Sequence, residues 1–273
     1  MKKIIFIFLA IFLAFTAHSA DLCMQQNSAF KAGEELNYEL YYNLSFIWVH
    51  AGNVRFTVRP AVFNGISAYQ LQSLGTTIKS FDKFYKVRDT ITTYVDTTYI
   101  APFIHRQSSR EDDYWKKNEI DFRRNADKMT AFISAIRKSG IRKDTVSSEK
   151  CMFDMLSCVY QFRNIDTRNL VPNQTIPFQL ILDDGLYPLN LRYVKTEDVK
   201  LKNGDRYRCL VFKPLLVKGD VFKYSDGMTI WVSDDENKIP VYIESKIRVG
   251  SVKIQLTNIK NARYEEIAKL PKK

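Results

Sequence analysis

The sequence predicts a mainly β protein, in which antiparallel strands form a sheet, sandwich or barrel and one segment forms a helix. Three observations lead to this prediction. Apolar and polar residues alternate along many short segments, turn residues separate these segments, and a single segment follows helical spacing instead. Since alternation with a period of two places apolar side chains on one face, we expect half-buried strands.

The chain begins with the pattern of a secretory signal peptide over residues 1–20. Two lysines follow the initiator methionine, the apolar run 4–15 comes next, and the small residues Ser19 and Ala20 mark the cleavage site. As a helix the run would be about 18 Å long, which is short for a hydrocarbon core of about 30 Å. We therefore expect cleavage after Ser19 or Ala20. The mature protein would be exported to the periplasm or the outer membrane, without a transmembrane segment.

All four cysteines lie in the mature part of the chain, and export permits disulfides among them. If residues 151–164 form one helix, Cys151 and Cys158 lie about 10 Å apart along its axis, whereas bridged Cα atoms lie within roughly 7 Å. This disfavours that pair. The connectivity of Cys23, Cys151, Cys158 and Cys209 stays open, as does the alternative of four buried thiols. We do not expect a lipid on Cys23, because the bulky Leu22 precedes it.

The strand pattern predicts a single β-rich domain over residues 21–273, with its core at about 30–262. Strands are expected near residues 36–42, 54–58, 91–95, 120–122, 178–182, 189–193 and 228–232. One hairpin turns at Asn203-Gly204 and another at Gly250-Ser251. The acidic segment 234–237 is expected to be a third hairpin turn rather than a calcium site.

One segment departs from the strand pattern. Residues 134–150 are polar and are predicted to form a loop, and a helix is predicted near residues 151–164, with Tyr160 and Arg163 on its apolar stripe. We expect structural roles for both residues, with Arg163 reaching a carboxylate or carbonyl partner on the sheet. Asp154 lies in the first turn, where the helix dipole favours its charge by about 1 kcal/mol or less.

The sequence contains no recognisable catalytic, metal-binding or cofactor motif. The two histidines that follow the signal peptide, His50 and His105, lie outside any zinc-binding frame and are expected to be sheet residues. The formal charge of +11 is spread along the chain, which argues against nucleic acid as a partner. We therefore expect no cofactor, no metal and no catalytic residue.

The chain resembles domain of unknown function family 3108, a family of exported bacterial envelope proteins. The similarity lies in residues 30–38, 50–52, 82–89, 154–163, 228–235 and 239–241, which include Gly33, Gly52 and Trp231. It implies a curved antiparallel sheet or partly open β-barrel wrapped around one principal helix, similar in outline to lipoprotein-carrier folds. It also implies structural roles for the two glycines and the tryptophan, and it assigns no activity.

Two hypotheses about function follow. The first is a non-enzymatic envelope protein that binds an apolar or glycan ligand, or a protein partner, because 18 Phe, 15 Tyr and 3 Trp could line such a site. The second is a hydrolase of envelope polysaccharide that uses an unrecognised carboxylate pair. The two carboxyl groups would then lie roughly 5 to 9.5 Å apart across an open cleft. The ligand, its binding residues and the oligomeric state are not indicated by the sequence.

Overall fold

The computed structural model describes Cys23 and residues 25–44, 47–125, 127–183, 185–216, 227–246 and 250–271. The signal peptide predicted over residues 1–20 lies outside the described residues and stays a prediction. Across the described part of the chain, no helix has the length and apolarity that crossing a membrane requires.

The described chain forms one large antiparallel sheet of fifteen strands. The strands are β1 (Glu35–Leu44), β2 (Ile47–Phe63), β3 (Ile66–Thr77), β4 (Val87–Asp96), β5 (Pro102–Glu111), β6 (Tyr114–Arg124), β7 (Met129–Arg137), β8 (Gly140–Ser148), β9 (Thr175–Leu182), β10 (Gly185–Lys200), β11 (Arg206–Leu216), β12 (Met228–Ser233), β13 (Pro240–Lys246), β14 (Ser251–Lys260) and β15 (Lys269–Leu270). Their spatial order is β8-β7-β6-β5-β4-β3-β2-β1-β14-β13-β12-β11-β10-β9, and β15 pairs with β11. The predicted mainly β fold, a curved antiparallel sheet around one helix, is confirmed.

The sheet curves like a barrel but does not close, because its edge strands β8 and β9 form no ladder with each other. Phe153 lies at the edge of β9. Its N–H donates to the Gln179 carbonyl (2.9 Å) and its carbonyl accepts from the Ile181 N–H (2.8 Å). The Ser148 hydroxyl at the end of β8 donates to Gln179 Oε1 (2.5 Å). These few contacts form a seam where a strand ladder would complete the barrel.

The single α-helix of the described residues, α1 (Met155–Phe162), lies inside the curve of the sheet. Leu156 and Tyr160 pack against β2, β3 and β4, while Cys158 and Phe162 pack against the opposite wall, from β6 to β12. The helix is shorter than the predicted range 151–164. Asp154 caps its first turn, and the preceding residues are extended, as the bridge from Phe153 to β9 shows.

The loop predicted at residues 134–150 is wrong, because this segment contributes to strands β7 and β8. No position of the edge strand β8 is buried. A strand whose inner face is only half-buried needs little apolar alternation, so its sequence resembles a polar loop. By contrast, both predicted hairpins are present, β10 with β11 and β13 with β14, and segment 234–237 lies between the paired strands β12 and β13.

A disulfide joins Cys23 to Cys151, with the two Cα atoms 5.4 Å apart. Cys158 and Cys209 are buried thiols. The helix predicted over residues 151–164 includes Cys151, but this residue precedes α1 and lies where the chain enters it. The bond therefore ties the beginning of the described chain to the segment that positions the helix.

Candidate functional site

The carboxyl end of α1 carries a buried charge that is paired with a carboxylate. Arg163 is 1% exposed. Its Nη1 and Nη2 donate to the two carboxylate oxygens of Glu34 (2.6 and 2.8 Å), and its Nε donates to the Asn237 carbonyl (2.9 Å). The rings of Phe30 and Tyr160 lie 5.3 and 5.4 Å from the guanidinium. Burial alone would lower the pKa of Arg163, but Glu34 raises it above its usual value.

Three of the residues with predicted structural roles meet at this end of the helix. Gly33 directly precedes Glu34 and has a φ of +91°, a left-handed conformation that favours glycine. The Tyr160 ring packs edge-on against Phe30, with the ring centroids 4.7 Å apart. Its hydroxyl is buried and has no hydrogen-bond partner among the described residues. Phe30 and Tyr160 therefore pack around the guanidinium that holds the Glu34 carboxylate.

Two other residues with predicted structural roles lie elsewhere in the sheet. A Cβ atom at Gly52 would stand 2.6 Å from the Thr76 carbonyl oxygen, so only glycine allows β2 and β3 to approach this closely. Trp231 donates from Nε1 to Glu197 Oε1 (2.8 Å) and packs against Tyr242, with the ring centroids 4.8 Å apart. The contacts of Gly52 and of Trp231 with Tyr242 join neighbouring strands, whereas the hydrogen bond from Trp231 to Glu197 spans β11.

The amino end of α1 carries a second buried charge, the fully buried Asp154. Its carboxylate accepts from the backbone N–H groups of Leu156 (2.9 Å) and Ser157 (3.2 Å), and from the Ser157 hydroxyl (2.6 Å). The Thr93 hydroxyl (2.8 Å) and His105 Nδ1 (2.9 Å) donate to it as well. The sequence position of Asp154 indicates only a favourable interaction with the helix dipole. In the structure Asp154 also caps α1 and contacts the sheet through Thr93 and His105.

The contacts of Asp154 keep its side chain ionised inside the protein. Burial alone would raise the pKa of Asp154, but the charge of His105 and the hydrogen bonds from His105, Ser157 and Thr93 hold it below its usual value. Because a carboxylate only accepts hydrogen bonds, His105 must donate from Nδ1. No hydrogen bond within the described residues involves the other ring nitrogen, Nε2.

His105 lies in the wall of a cavity of about 400 Å³ between the inner face of β4 to β7 and the amino end of α1. One part of the wall is apolar and comprises Ile91, Ile120, Met155, Ile181 and Leu182. The other part is polar and, besides His105, comprises Gln107, Lys116, Asn118, Arg137, Arg142 and Asp183. The cavity therefore offers apolar contact and charged hydrogen-bond donors side by side.

Asp183 organises the polar wall. It accepts from Lys116 Nζ (2.6 Å), from Arg137 Nη2 (3.1 Å) and from Asn118 Nδ2 (2.9 Å). Two buried atoms of the same side chains, Asn118 Oδ1 and Arg137 Nε, have no partner among the described residues. An unsatisfied buried polar atom costs about 1–3 kcal/mol. We therefore regard this wall as the candidate ligand-binding surface.

Sequence reasoning missed most of this cavity. His105 is a sheet residue as predicted, and so is His50, but nothing in the sequence indicates that His105 contacts Asp154, 49 positions further along the chain. Lys116 and Asp183 look like ordinary surface charges at strand ends, and they are 67 positions apart. The antiparallel register of β5, β6 and β7 places these side chains on the inner face near α1.

Comparison with known proteins places the chain in a family and a fold without assigning an activity. The model of a family described as "Protein of unknown function (DUF3108)" matches residues 37–257. The fold is similar to the crystal structure of a β-barrel-like protein of domain of unknown function DUF1849 from Brucella abortus. The sequences are 11% identical, the TM-score is 0.55, and the match covers 85% of this chain and 98% of that chain. No curated protein matches the chain. Since the family match spans most of the sequence, the chain belongs to the DUF3108 family of proteins of unknown function.

Proposed function

We propose that the protein is exported to the cell envelope and acts there by binding, without catalysis. The ligand is a small molecule with an apolar body and an anionic group, and it occupies the cavity beside His105. One observation carries the proposal: apolar side chains and the cationic side chains of Lys116, Arg137 and Arg142 line the same cavity.

The size and the charge of the cavity fit this class of ligand. Its volume of about 400 Å³ lies within the range of roughly 300–1,000 Å³ that is usual for small-molecule sites. Lys116 and Arg137 contact Asp183, the one carboxylate among the described lining residues, and Arg142, which pairs with Asp144 (3.1 Å), lines the same cavity. The lining therefore carries more positive than negative charge. The planar guanidinium of Arg137 suits a carboxylate, sulfonate or phosphate group. His105 Nε2 can contribute a further hydrogen bond.

The alternative, a polysaccharide hydrolase with a carboxylate pair, gains no support from the cavities. Two further cavities, of about 510 and 380 Å³, lie on the outer face of the same strands. Counting described residues only, Glu119 is the one carboxylate in the lining of the first, and the lining of the second includes none. Glu119 accepts a hydrogen bond from Arg106 Nε (2.8 Å). A glycosidase needs two carboxyl groups facing one cleft.

The binding proposal is tested with a probe that has the proposed chemistry. Anilinonaphthalene sulfonate combines apolar rings with one sulfonate, and its fluorescence rises on binding. We expect Arg137→Leu to weaken its affinity by about tenfold or more, the usual effect of losing a charged hydrogen bond. The control is Arg106→Leu, which removes an exposed arginine from the outer face. Equal affinities of the wild type and both variants would contradict the proposal.

The export part of the proposal has its own test. Amino-terminal sequencing of the protein purified from its own envelope should show a start directly after Ser19 or Ala20. A start at Cys23 bearing acyl chains would contradict it. Native mass spectrometry of the same sample should show a co-purifying small molecule, which the Arg137→Leu variant should retain less well.

A further inference from the structure

One end of the barrel gathers exposed aromatic and aliphatic side chains. We call this surface the aromatic rim, and it comprises residues 47–49, 81–86 and 111–117. In the ladder of β2 and β3 the last pair is Gly52 with Thr77, so residues 47–49 extend beyond the end of β3. The segment 81–86 contains a short 3-10 helix and connects β3 to β4, and residues 112–113 connect β5 to β6 at the same end.

Hydrogen bonds hold two parts of the aromatic rim in place. The Lys86 N–H donates to Asp112 Oδ1 (2.7 Å), and the Asp112 N–H donates to the Lys86 carbonyl (2.8 Å). The Tyr85 hydroxyl donates to Glu111 Oε2 (2.9 Å). The Phe81 ring packs against Tyr42 of β1, with the ring centroids 6.3 Å apart. The exposed side chains are therefore displayed from a fixed surface.

Several large side chains of the aromatic rim face solvent. Phe84 is 82% exposed, Ile47 67% and Tyr114 44%, and Tyr85 and Trp115 are exposed as well. Single exposed apolar residues are normal on a protein surface, whereas a group of them at one site indicates a surface that contacts something else. Tyrosine and tryptophan are also the residues that concentrate at membrane–water interfaces.

Positive charge is concentrated on one side of the aromatic rim, beside Trp115. The outer cavity of about 380 Å³ beside Trp115 includes Lys86, Arg88, Arg110 and Lys117 in its lining, and no acid is among its lining residues. Asp82 is paired with Arg88 (2.5 Å), which lowers the pKa of Asp82 to about 2. The rim has three further acids: Glu111 and Asp112 are held by Tyr85 and by the Lys86 backbone, and Asp113 is exposed.

We propose that the aromatic rim docks on an anionic phospholipid surface. Lysines near such a surface each contribute about a fivefold gain in binding, and Tyr85, Tyr114 and Trp115 suit the headgroup region. Phe84 favours lipid over an acidic polysaccharide as the occupant, because a hydrated polymer offers no apolar phase to a phenyl ring. Docking requires no ligand in the cavity beside His105. A result against lipid docking therefore leaves the proposed ligand binding unaffected, and the reverse is also true.

Co-sedimentation with lipid vesicles tests this docking. The mature protein should bind vesicles of phosphatidylglycerol mixed with phosphatidylcholine, bind vesicles of phosphatidylcholine alone at least tenfold more weakly, and dissociate as salt is raised. The double variant Phe84→Ala/Trp115→Ala should lose about tenfold or more in affinity for the anionic vesicles. The matched control is Val62→Ala/Ile66→Ala, which removes two exposed apolar side chains at the opposite end of the barrel and should bind as the wild type does.

Three results would overturn the proposal. The first is no binding to anionic vesicles. The second is an equal loss of binding in the Val62→Ala/Ile66→Ala control, since the aromatic rim would then have no special role. The third is binding to soluble alginate that is as tight as binding to anionic vesicles and unaffected by Phe84→Ala/Trp115→Ala. That result would assign the basic surface to an acidic polymer instead.

Discussion

The two ends of α1 each bury a charged side chain with a partner, yet they differ in what they leave unpaired. At the carboxyl end, Glu34, a backbone carbonyl and two aromatic rings enclose Arg163. At the amino end, Asp154 is equally buried, but its partner His105 also lines a cavity. A buried ion pair is therefore not by itself a functional site. What matters is whether the surrounding residues leave polar atoms available to a ligand.

The largest effect should come from breaking the enclosed pair. We expect Arg163→Ala and Glu34→Ala each to lower the free energy of unfolding by about 3–5 kcal/mol, because each leaves a buried charge without its partner. Urea melts measure this. Arg106→Ala is the control, since the exposed pair of Arg106 and Glu119 contributes about 1 kcal/mol or less. If Arg163→Ala cost no more than the control, the carboxyl end of α1 would not be structural.

The second effect concerns the amino end. Asp154→Ala should lower the free energy of unfolding by about 2 kcal/mol, because it removes the helix cap and leaves buried donors unpaired. This replaces the sequence-based expectation of about 1 kcal/mol or less, which counted only the helix dipole. We expect a smaller cost than for Glu34→Ala, since Asp154→Ala leaves an imidazole without its carboxylate partner, whereas Glu34→Ala leaves a guanidinium without its partner. A cost above that of Glu34→Ala would reverse the comparison.

The pH dependence sharpens the same prediction. The folded pKa of Asp154 is held below the unfolded value, so the unfolded state binds more protons between the two values. The stability that Asp154 contributes is therefore fully present above about pH 4 and is lost as the pH falls through the folded pKa. Urea melts at pH 7 and at acidic pH should show the wild type approaching the Asp154→Ala variant. A constant difference across that range would contradict an ionised Asp154.

The smallest effect is expected at Tyr160. Its hydroxyl is buried without a partner among the described residues. Tyr160→Phe removes this hydroxyl and keeps the ring against Phe30 and Arg163, so stability should stay unchanged or rise by about 1 kcal/mol. The midpoint of a urea melt, compared at constant slope, measures the change. A clear loss of stability would mean that the hydroxyl has a role that its contacts do not show.

Much of the fold could be predicted from the sequence because alternation follows burial. Strand β1 buries Leu36 and Tyr38 on one face, and the alternation of apolar and polar residues in the sequence predicts this buried face. The pattern fails at β8, whose inner face is only half-buried, and at the start of α1, where Asp154 ends the extended segment. In both places the local sequence lacks the apolar spacing that burial imposes elsewhere.

The candidate site could not be predicted for a different reason. Glu34 pairs with Arg163 across 129 positions, and Asn118 contacts Asp183 across 65. Single residues separated by such distances show no spacing that marks them as partners. The predicted partner of Arg163 was a carboxylate or carbonyl on the sheet. The structure supplies Glu34, just before β1, and the Asn237 carbonyl, in the turn before β13.

The unclosed seam between β8 and β9 has a consequence for self-association. Free strand edges invite strands from other copies of a protein, which leads to aggregation. Here Phe153 already occupies backbone groups along β9, and Pro177 in the same strand has no N–H to offer. Strand β8 presents the exposed charges of Arg142 and Lys143. Neither edge therefore offers an uninterrupted row of backbone groups for pairing. An open sheet of this size can thus exist without pairing with strands of other copies.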